Sequence, residues 1–210
     1  MTVRAVVFDL DGTLVDTMAA APQAYAATVR SLGGPRVSPG QIVETWHIGP
    51  TPTVLRHFLG RDITDDDLSC FYDHLTSSVT GVRPFPGVVP MLDTLTRKGY
   101  GLSVVTAATR RAALCTLNAT RLESYFPVLI CGDEVSRPKP HPEGLLRACL
   151  LLGADPTDAI YVGDSEVDLH CAVAARVPGV LAGWGGSAVR ARTVARHPHD
   201  VVHVVNAAGR

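Results

Sequence analysis

Four places in this sequence of 210 residues could do chemistry together: the acidic pair Asp9 and Asp11 ahead of Gly12 and Thr13, the hydroxyl of Thr106, the amine of Lys139 and the carboxylate of Asp164. Asp9 and Asp11 crowd two negative charges into one small volume, which is costly without a cation. A divalent ion such as Mg²⁺ relieves that cost and favours oxygen ligands. Lys139 sits in Arg137-Pro138-Lys139-Pro140, where the flanking prolines stiffen the loop and aim the side chain. Lys98 is the only other lysine. Carboxylates holding a metal, a lysine, a hydroxyl and backbone N–H groups are what transfer of a phosphate monoester demands, because its equatorial oxygens need positive charge and hydrogen-bond donors. One carboxylate can then attack phosphorus to give an aspartyl-phosphate, and a second can protonate the leaving oxygen and later activate water.

These groups must be held by elements that end at one place. The apolar run Val3–Phe8 predicts a buried parallel strand that stops at Asp9. Strands are also expected at 101–106, 128–131 and 159–163, the last ending at Asp164, with weaker ones at 179–182 and 200–205. Helices are expected between them at 88–97, 109–118, 142–152, 166–175 and 188–195. This alternation predicts a Rossmann-like α/β fold, a parallel sheet with helices on both faces. In such a sheet ligands bind beyond the carboxyl ends of the strands, where Asp9, Thr106 and Asp164 fall. Gly183-Trp184-Gly185-Gly186-Ser187 lacks the spacing of a nucleotide-binding loop and reads as a loop at the sheet edge.

Residues 16–81 carry no strand signal. Helices are expected at 17–32, from a Ser38-Pro39-Gly40-Gln41 capping box to about His47, at 51–59, and from Thr64 to about Val79. The run Asp65-Asp66-Asp67 matches a helix first turn better than a metal site. This block, inserted directly after the first strand, is expected to be an all-helical cap that opens and closes as a lid. The expected division is a core of residues 1–15 and 84–210 and a cap of 16–83. Thr51, Arg56 and His47 are its candidate substrate contacts.

The segment Asp9-Leu10-Asp11-Gly12-Thr13 resembles the first motif of the haloacid dehalogenase-like hydrolases, and Thr106, Lys139 and Gly163-Asp164-Ser165-Glu166-Val167-Asp168 resemble the other three. The resemblance implies that Asp9 is the nucleophile and Asp11 the general acid/base. It implies that Thr106 binds the phosphoryl group, with Gly12, Thr13 and Ala107 beside it, and that Lys139 neutralises charge at the nucleophile. It places Mg²⁺ on Asp9, Asp164 and the backbone carbonyl of Asp11, supported from behind by Asp168 and Ser165. A helical cap at this position is similar to the subgroup of phosphoglycolate phosphatases and β-phosphoglucomutases. Pro84-Phe85-Pro86-Gly87-Val88, the stretch Gly132–Pro140, Tyr161–Ser165 and Ile48-Gly49-Pro50-Thr51 resemble bacterial phosphoglycolate phosphatases. Three positions depart from that pattern: Ala107 where a polar residue is usual, Arg176 where glycine is usual, and a chain that is expected to lack the closing helix.

Composition excludes other classes. Net charge is −1, pI is about 6.7 and mean hydropathy is +0.17, which points to neither nucleic acid nor an anionic membrane as partner. No apolar run reaches the ~20 residues of a membrane span. The N-terminus does not read as a signal peptide, so a cytoplasmic protein is expected. The five cysteines follow no metal or disulfide spacing and read as buried thiols. Arg190, Arg192 and Arg196 read as one solvated helix face. The expected activity is Mg²⁺-dependent hydrolysis of a small phosphate monoester by a monomer or homodimer. The alternatives are a phosphomutase using the same phospho-enzyme and a non-catalytic partner protein.

Overall fold

A computed structural model describes residues 3–208, with the side chains of His47 and Ala208 outside the description. Six parallel strands form one sheet in the order β3-β2-β1-β4-β5-β6, with β1 Ala5–Phe8, β2 Gly101–Val105, β3 Val128–Ile130, β4 Ala159–Gly163, β5 Gly179–Ala182 and β6 Val194–Ala195. The chain runs from β1 outward to β3 on one side, then returns to β4 on the other. That reversal opens a crevice at the carboxyl end of β1, the place where open α/β sheets bind ligands.

Each strand alternates between two buried faces, the pattern of a sheet covered on both sides. Val6, Phe8, Val104 and Val162 pack with Leu92, Leu95, Leu117, Val201 and Val205 from α5 Val88–Arg97, α6 Arg110–Thr120 and α9 Pro198–Ala208. Ala5, Val7, Val105 and Tyr161 face α7 Glu143–Leu151 and α8 Glu166–Ala175 through Leu145, Ala148, Cys149 and Cys171. Leu92, Leu95 and Leu117 are almost wholly buried. Truncating any of them to alanine costs about 2–5 kcal/mol.

Between β1 and α5 the chain forms α1 Ala20–Ser31, α2 Pro39–Thr45, α3 Thr51–Leu59 and α4 Asp65–Val79. They share a separate apolar cluster of Tyr25, Val29, Ile42, Val54, Leu55, Phe71 and Leu75. The Ser38 capping box forms as expected, and so does a second one at Thr64, where the Asp67 carboxylate accepts the Thr64 N–H. Asp67 also pairs with Arg61 at 2.6 Å, so the acidic run caps a helix. Helix α1 starts three residues later than expected, because Thr17 is drawn into the turn after β1.

The sequence reading of the elements holds through β5 and fails from residue 188 onward. Residues 188–193 form no helix, and β6 takes up Val194–Ala195. The expected strand at 200–205 is helix α9, so the closing helix is present. Its β-branched run favours a strand locally. Two other effects win: Asp200 accepts the N–H groups of Arg196 and His197 at the helix start, and Val201 and Val205, four residues apart, bury completely beneath α5. Arg190, Arg192 and Arg196 are exposed, but on loops and bends and not on a helix. The glycine-rich stretch after β5 is no edge loop. It folds back over Gly12 and Thr13. All five cysteines are free; Cys131, Cys149 and Cys171 are buried, while Cys70 and Cys115 are half-buried. No helix among the described residues is long and apolar enough to cross a membrane.

Candidate active site

The turn after β1 is built by its backbone. The Asp9 N–H continues the ladder to Val162, and Leu10 accepts the N–H groups of Leu14 and Val15. Gly12 has φ +86°, and a Cβ there would lie 2.5 Å from an Asp164 carboxylate oxygen. Only glycine lets these two loops approach so closely. Thr13 Oγ1 donates to Asp164 Oδ1 at 3.0 Å, and the Trp184 indole N–H donates to the Thr13 carbonyl at 2.8 Å. Ser187 Oγ donates to the Asp164 carbonyl at 2.6 Å, so the turn after β5 clamps both loops.

At the centre lies Lys139. Its ammonium donates to Asp9 Oδ1 and Asp168 Oδ1, each at 2.7 Å, and to the Tyr161 hydroxyl at 3.3 Å. Asp168 is also held by Ser165 Oγ at its other oxygen and by the Tyr161 hydroxyl at 2.9 Å. One ammonium cannot neutralise two carboxylates. Burial works against ionised Asp168, but the Lys139 charge and the hydrogen bonds from Lys139, Ser165 and Tyr161 outweigh it and hold this carboxyl below its usual range. Burial pushes Asp9 well above its usual range despite Lys139, and the like charges of Asp168 and Asp164 add to the rise. Burial, joined by Asp168, raises Asp164 as well. For Lys139 the attraction of Asp9, Tyr161 and Asp168 overcomes burial and holds the amine well above its ordinary value.

This surplus of negative charge fits a divalent cation. Oxygens of Asp9, Asp164 and Asp168 lie within 4.8 Å of one another. Asp168 is already engaged by three donors, which leaves Asp9 and Asp164 as the freer oxygen ligands for a hard ion.

Asp11 is set apart from this network. Its carboxylate accepts from Thr17 Oγ1 at 2.6 Å. Burial raises its pKa, opposed by that hydrogen bond and by the Lys139 charge. Two neighbouring carboxyls in different environments are the arrangement that lets one act as nucleophile and the other as acid.

Thr106 follows β2, buried, with its Oγ1 accepting the Ala108 N–H at 3.1 Å. Ala107 is exposed, and its carbonyl lies against Gly132. Across from this loop, the Tyr72 hydroxyl of α4 meets Thr109 Oγ1 at 3.0 Å, and the Arg111 guanidinium stacks 4.2 Å above the Tyr72 ring. These contacts join the helical insertion to the core.

The structure thus brings Asp9, Asp11, Gly12, Thr13, Lys139, Asp164, Ser165 and Asp168 together, with Thr106 and Ala107 on the neighbouring loop. The insertion residues separate. Thr51 is buried, and its hydroxyl meets the Tyr25 phenol at 2.8 Å. Arg56 is exposed and pairs with Asp62 at 3.3 Å. The His47 side chain lies outside the described residues. Tyr161, Thr17 and Trp184 were not singled out in the sequence. A tyrosine inside a Val/Ile strand was a usable signal, because a buried phenol needs a partner. Thr17 and Trp184 carried none.

The family of haloacid dehalogenase-like hydrolases matches residues 6–182. The chain is 36% identical over 188 residues to a plasmid-borne phosphoglycolate phosphatase of Cupriavidus necator, covering 86% of this chain and 81% of that one. It is 28% identical to the phosphoglycolate phosphatase of Aquifex aeolicus, covering 97% of each chain. The fold is shared with CbbY from Rhodobacter sphaeroides, crystallised in complex with phosphate, at a TM-score of 0.83 and 20% identity over 95% of this chain and 96% of that one. With the two carboxyls, the lysine and the acidic cluster at the crevice where the motifs place them, the chain belongs to the haloacid dehalogenase-like hydrolases and is a phosphatase similar to the phosphoglycolate phosphatases.

Proposed function

We propose that this protein is a Mg²⁺-dependent phosphatase that hydrolyses a small phosphate monoester, phosphoglycolate or a sugar phosphate, through a phospho-Asp9 intermediate. The observation that carries the reading is how differently two adjacent carboxyls are partnered, Asp9 against the Lys139 ammonium with Asp164 and Asp168 beside it, and Asp11 held apart by the Thr17 hydroxyl. The names of the relatives from Cupriavidus necator and Aquifex aeolicus support the substrate class.

In the first half-reaction an Asp9 oxygen attacks phosphorus, the bond to the ester oxygen breaks, and Asp11 gives that oxygen its proton. In the second, Asp11 takes a proton from water, the water oxygen attacks phosphorus, and the bond to Asp9 breaks. Inorganic phosphate leaves, and Asp11 again carries a proton. Lys139 offsets charge at Asp9 throughout, while Thr106 and the backbone around Gly12, Thr13 and Ala107 donate to the phosphoryl oxygens. Asp9, Asp164 and the Asp11 carbonyl would hold Mg²⁺, which supplies positive charge to the phosphoryl group. Asp168 and Ser165 keep Lys139 and the α8 loop in place.

Residues 16–83 act as a cap on the core formed by 1–15 and 84–210. Asp9 is only 5% exposed, so substrate reaches it when the cap swings away. The linkers around Asp16 and Arg83 flank a cleft of about 470 Å³ that such a swing would reshape.

The test is phosphate release from 2-phosphoglycolate, sugar phosphates, nucleotides and p-nitrophenyl phosphate, with and without Mg²⁺. Metal-dependent release that Asp9→Asn abolishes is the expected result. No release from any ester, or equal release by Asp9→Asn, would overturn the proposal. Isomerisation of a sugar phosphate without phosphate release would assign the mutase reaction.

A further inference from the structure

Tyr161 opens the stretch Tyr161–Ser165 but carries no chemical role in the sequence reading, yet its hydroxyl sits where three parts of the site meet. The residue lies on β4 and is 1% exposed. Its side chain points to the α7/α8 side of the sheet and reaches past β1 to the carbonyl of Val105, at 3.2 Å, the last residue of β2. It also reaches Asp168 Oδ1 on α8 at 2.9 Å and Lys139 Nζ at 3.3 Å. An ammonium has three protons and no acceptor. Here the three acceptors of Lys139 are Asp9, Asp168 and the Tyr161 hydroxyl. The hydroxyl has one proton of its own, shared between Asp168 and the Val105 carbonyl. Burial raises the phenol far above its ordinary value, so it stays an O–H.

We propose that Tyr161 is a positioning residue: its hydroxyl is the third anchor of the Lys139 ammonium and ties it to the end of β2, which carries Thr106. The two groups that grip a phosphoryl from opposite sides are thereby held at a fixed separation. Asp9 and Asp168 alone leave the ammonium free to pivot about the line joining them. A third acceptor removes that freedom. Misplacement on the scale of an ångström costs as much as a hundredfold in rate, so a retained but loosened lysine falls short of that limit.

Tyr161→Phe removes one oxygen and keeps the ring. Expected is a fall in kcat of about tenfold, near 1.4 kcal/mol, with KM within about twofold of the parent. Affinity for orthovanadate, which imitates phosphorus under attack, falls by the same factor, while affinity for inorganic phosphate holds. A second readout needs no turnover. Lys98 is exposed, so a protein labelled with ¹⁵N-lysine shows Lys139 as its one buried ammonium. In the parent a nuclear Overhauser effect is expected between the Lys139 ammonium protons and the Tyr161 ring, and in the variant that ammonium signal broadens or is lost. The proposal rests on the phosphatase reading for its kinetic arm alone. A parent inactive on every ester sinks that reading, and the ammonium signal then decides on Tyr161. Absence of the contact in the parent overturns the proposal even if Tyr161→Phe fails to fold. So does a variant with the parent's kcat and ammonium signal, whatever its melting temperature.

Discussion

Lys139→Met isolates the electrostatics of the site. The substitution keeps the length of the side chain and removes the charge that Asp9 and Asp168 share at 2.7 Å each. Both carboxylates are at most 7% exposed at the side chain, so water does not replace the lost partner. Breaking a buried pair in this way costs about 3–5 kcal/mol. For a chain of this size that lowers Tm by roughly 6–20 °C, a large part of a typical total stability of about 5–15 kcal/mol. Asp168 lies below its usual range and Lys139 above its own, so this pair is charged at pH 7. The Asp168 contribution is present above the unfolded carboxyl value of about 4 and is lost only as pH falls below it. The Lys139 contribution is lost only as pH rises past its raised value. The assay is denaturant unfolding at pH 7 in EDTA, so that no added cation takes the lysine's place. Adding Asp168→Asn to Lys139→Met removes the surplus charge and is expected to recover about 1–3 kcal/mol without recovering activity. Turnover of the single variant falls by about a hundredfold or more. The reasoning is refuted if Lys139→Met unfolds within about 0.5 kcal/mol of the parent, or if the double variant is less stable than the single.

Thr17→Val removes the only hydrogen bond among the described residues that holds the Asp11 carboxyl, and kcat is expected to fall by roughly fivefold to tenfold, with unfolding by denaturant nearly unchanged. Arg176 ends α8 at φ +57°, a left-handed conformation that suits glycine; Arg176→Gly should raise stability by about 1 kcal/mol, read as a higher urea midpoint at an unchanged slope. Asp67 is held well below the usual carboxyl range, first by Arg61 and then by Thr64. Its contribution is therefore fully present above about pH 4 and lost progressively as pH falls below it, toward the lowered folded value. Asp67→Asn should flatten the acid limb of the melting-temperature profile, and an unchanged limb would remove the pair as its cause.

Much of this protein was legible locally. The apolar run into Asp9, the glycine after Asp11, the prolines around Lys139 and the strand into Asp164 are short-range signals, each with a short-range physical reason. So are the Ser38 and Thr64 capping boxes, whose partners lie three residues away. Alternation of strand and helix then sufficed for a parallel sheet, because side-chain period and chain handedness leave few other arrangements. What the sequence could not settle involves partners far along the chain. Residues 198–208 have the branched composition of a strand, and burial beside α5, added to the Asp200 cap, makes them a helix. Nor did the sequence reveal the partners of Arg56 and Thr51, which are Asp62 and Tyr25. Trp184 and Thr13, 171 positions apart, meet because β5 and β1 end on the same edge of one sheet. The difference in surroundings between Asp9 and Asp11 is likewise tertiary. The two are identical as residues and burial raises both, while one lysine 130 positions from Asp9 and one threonine beside Asp11 give them different partners.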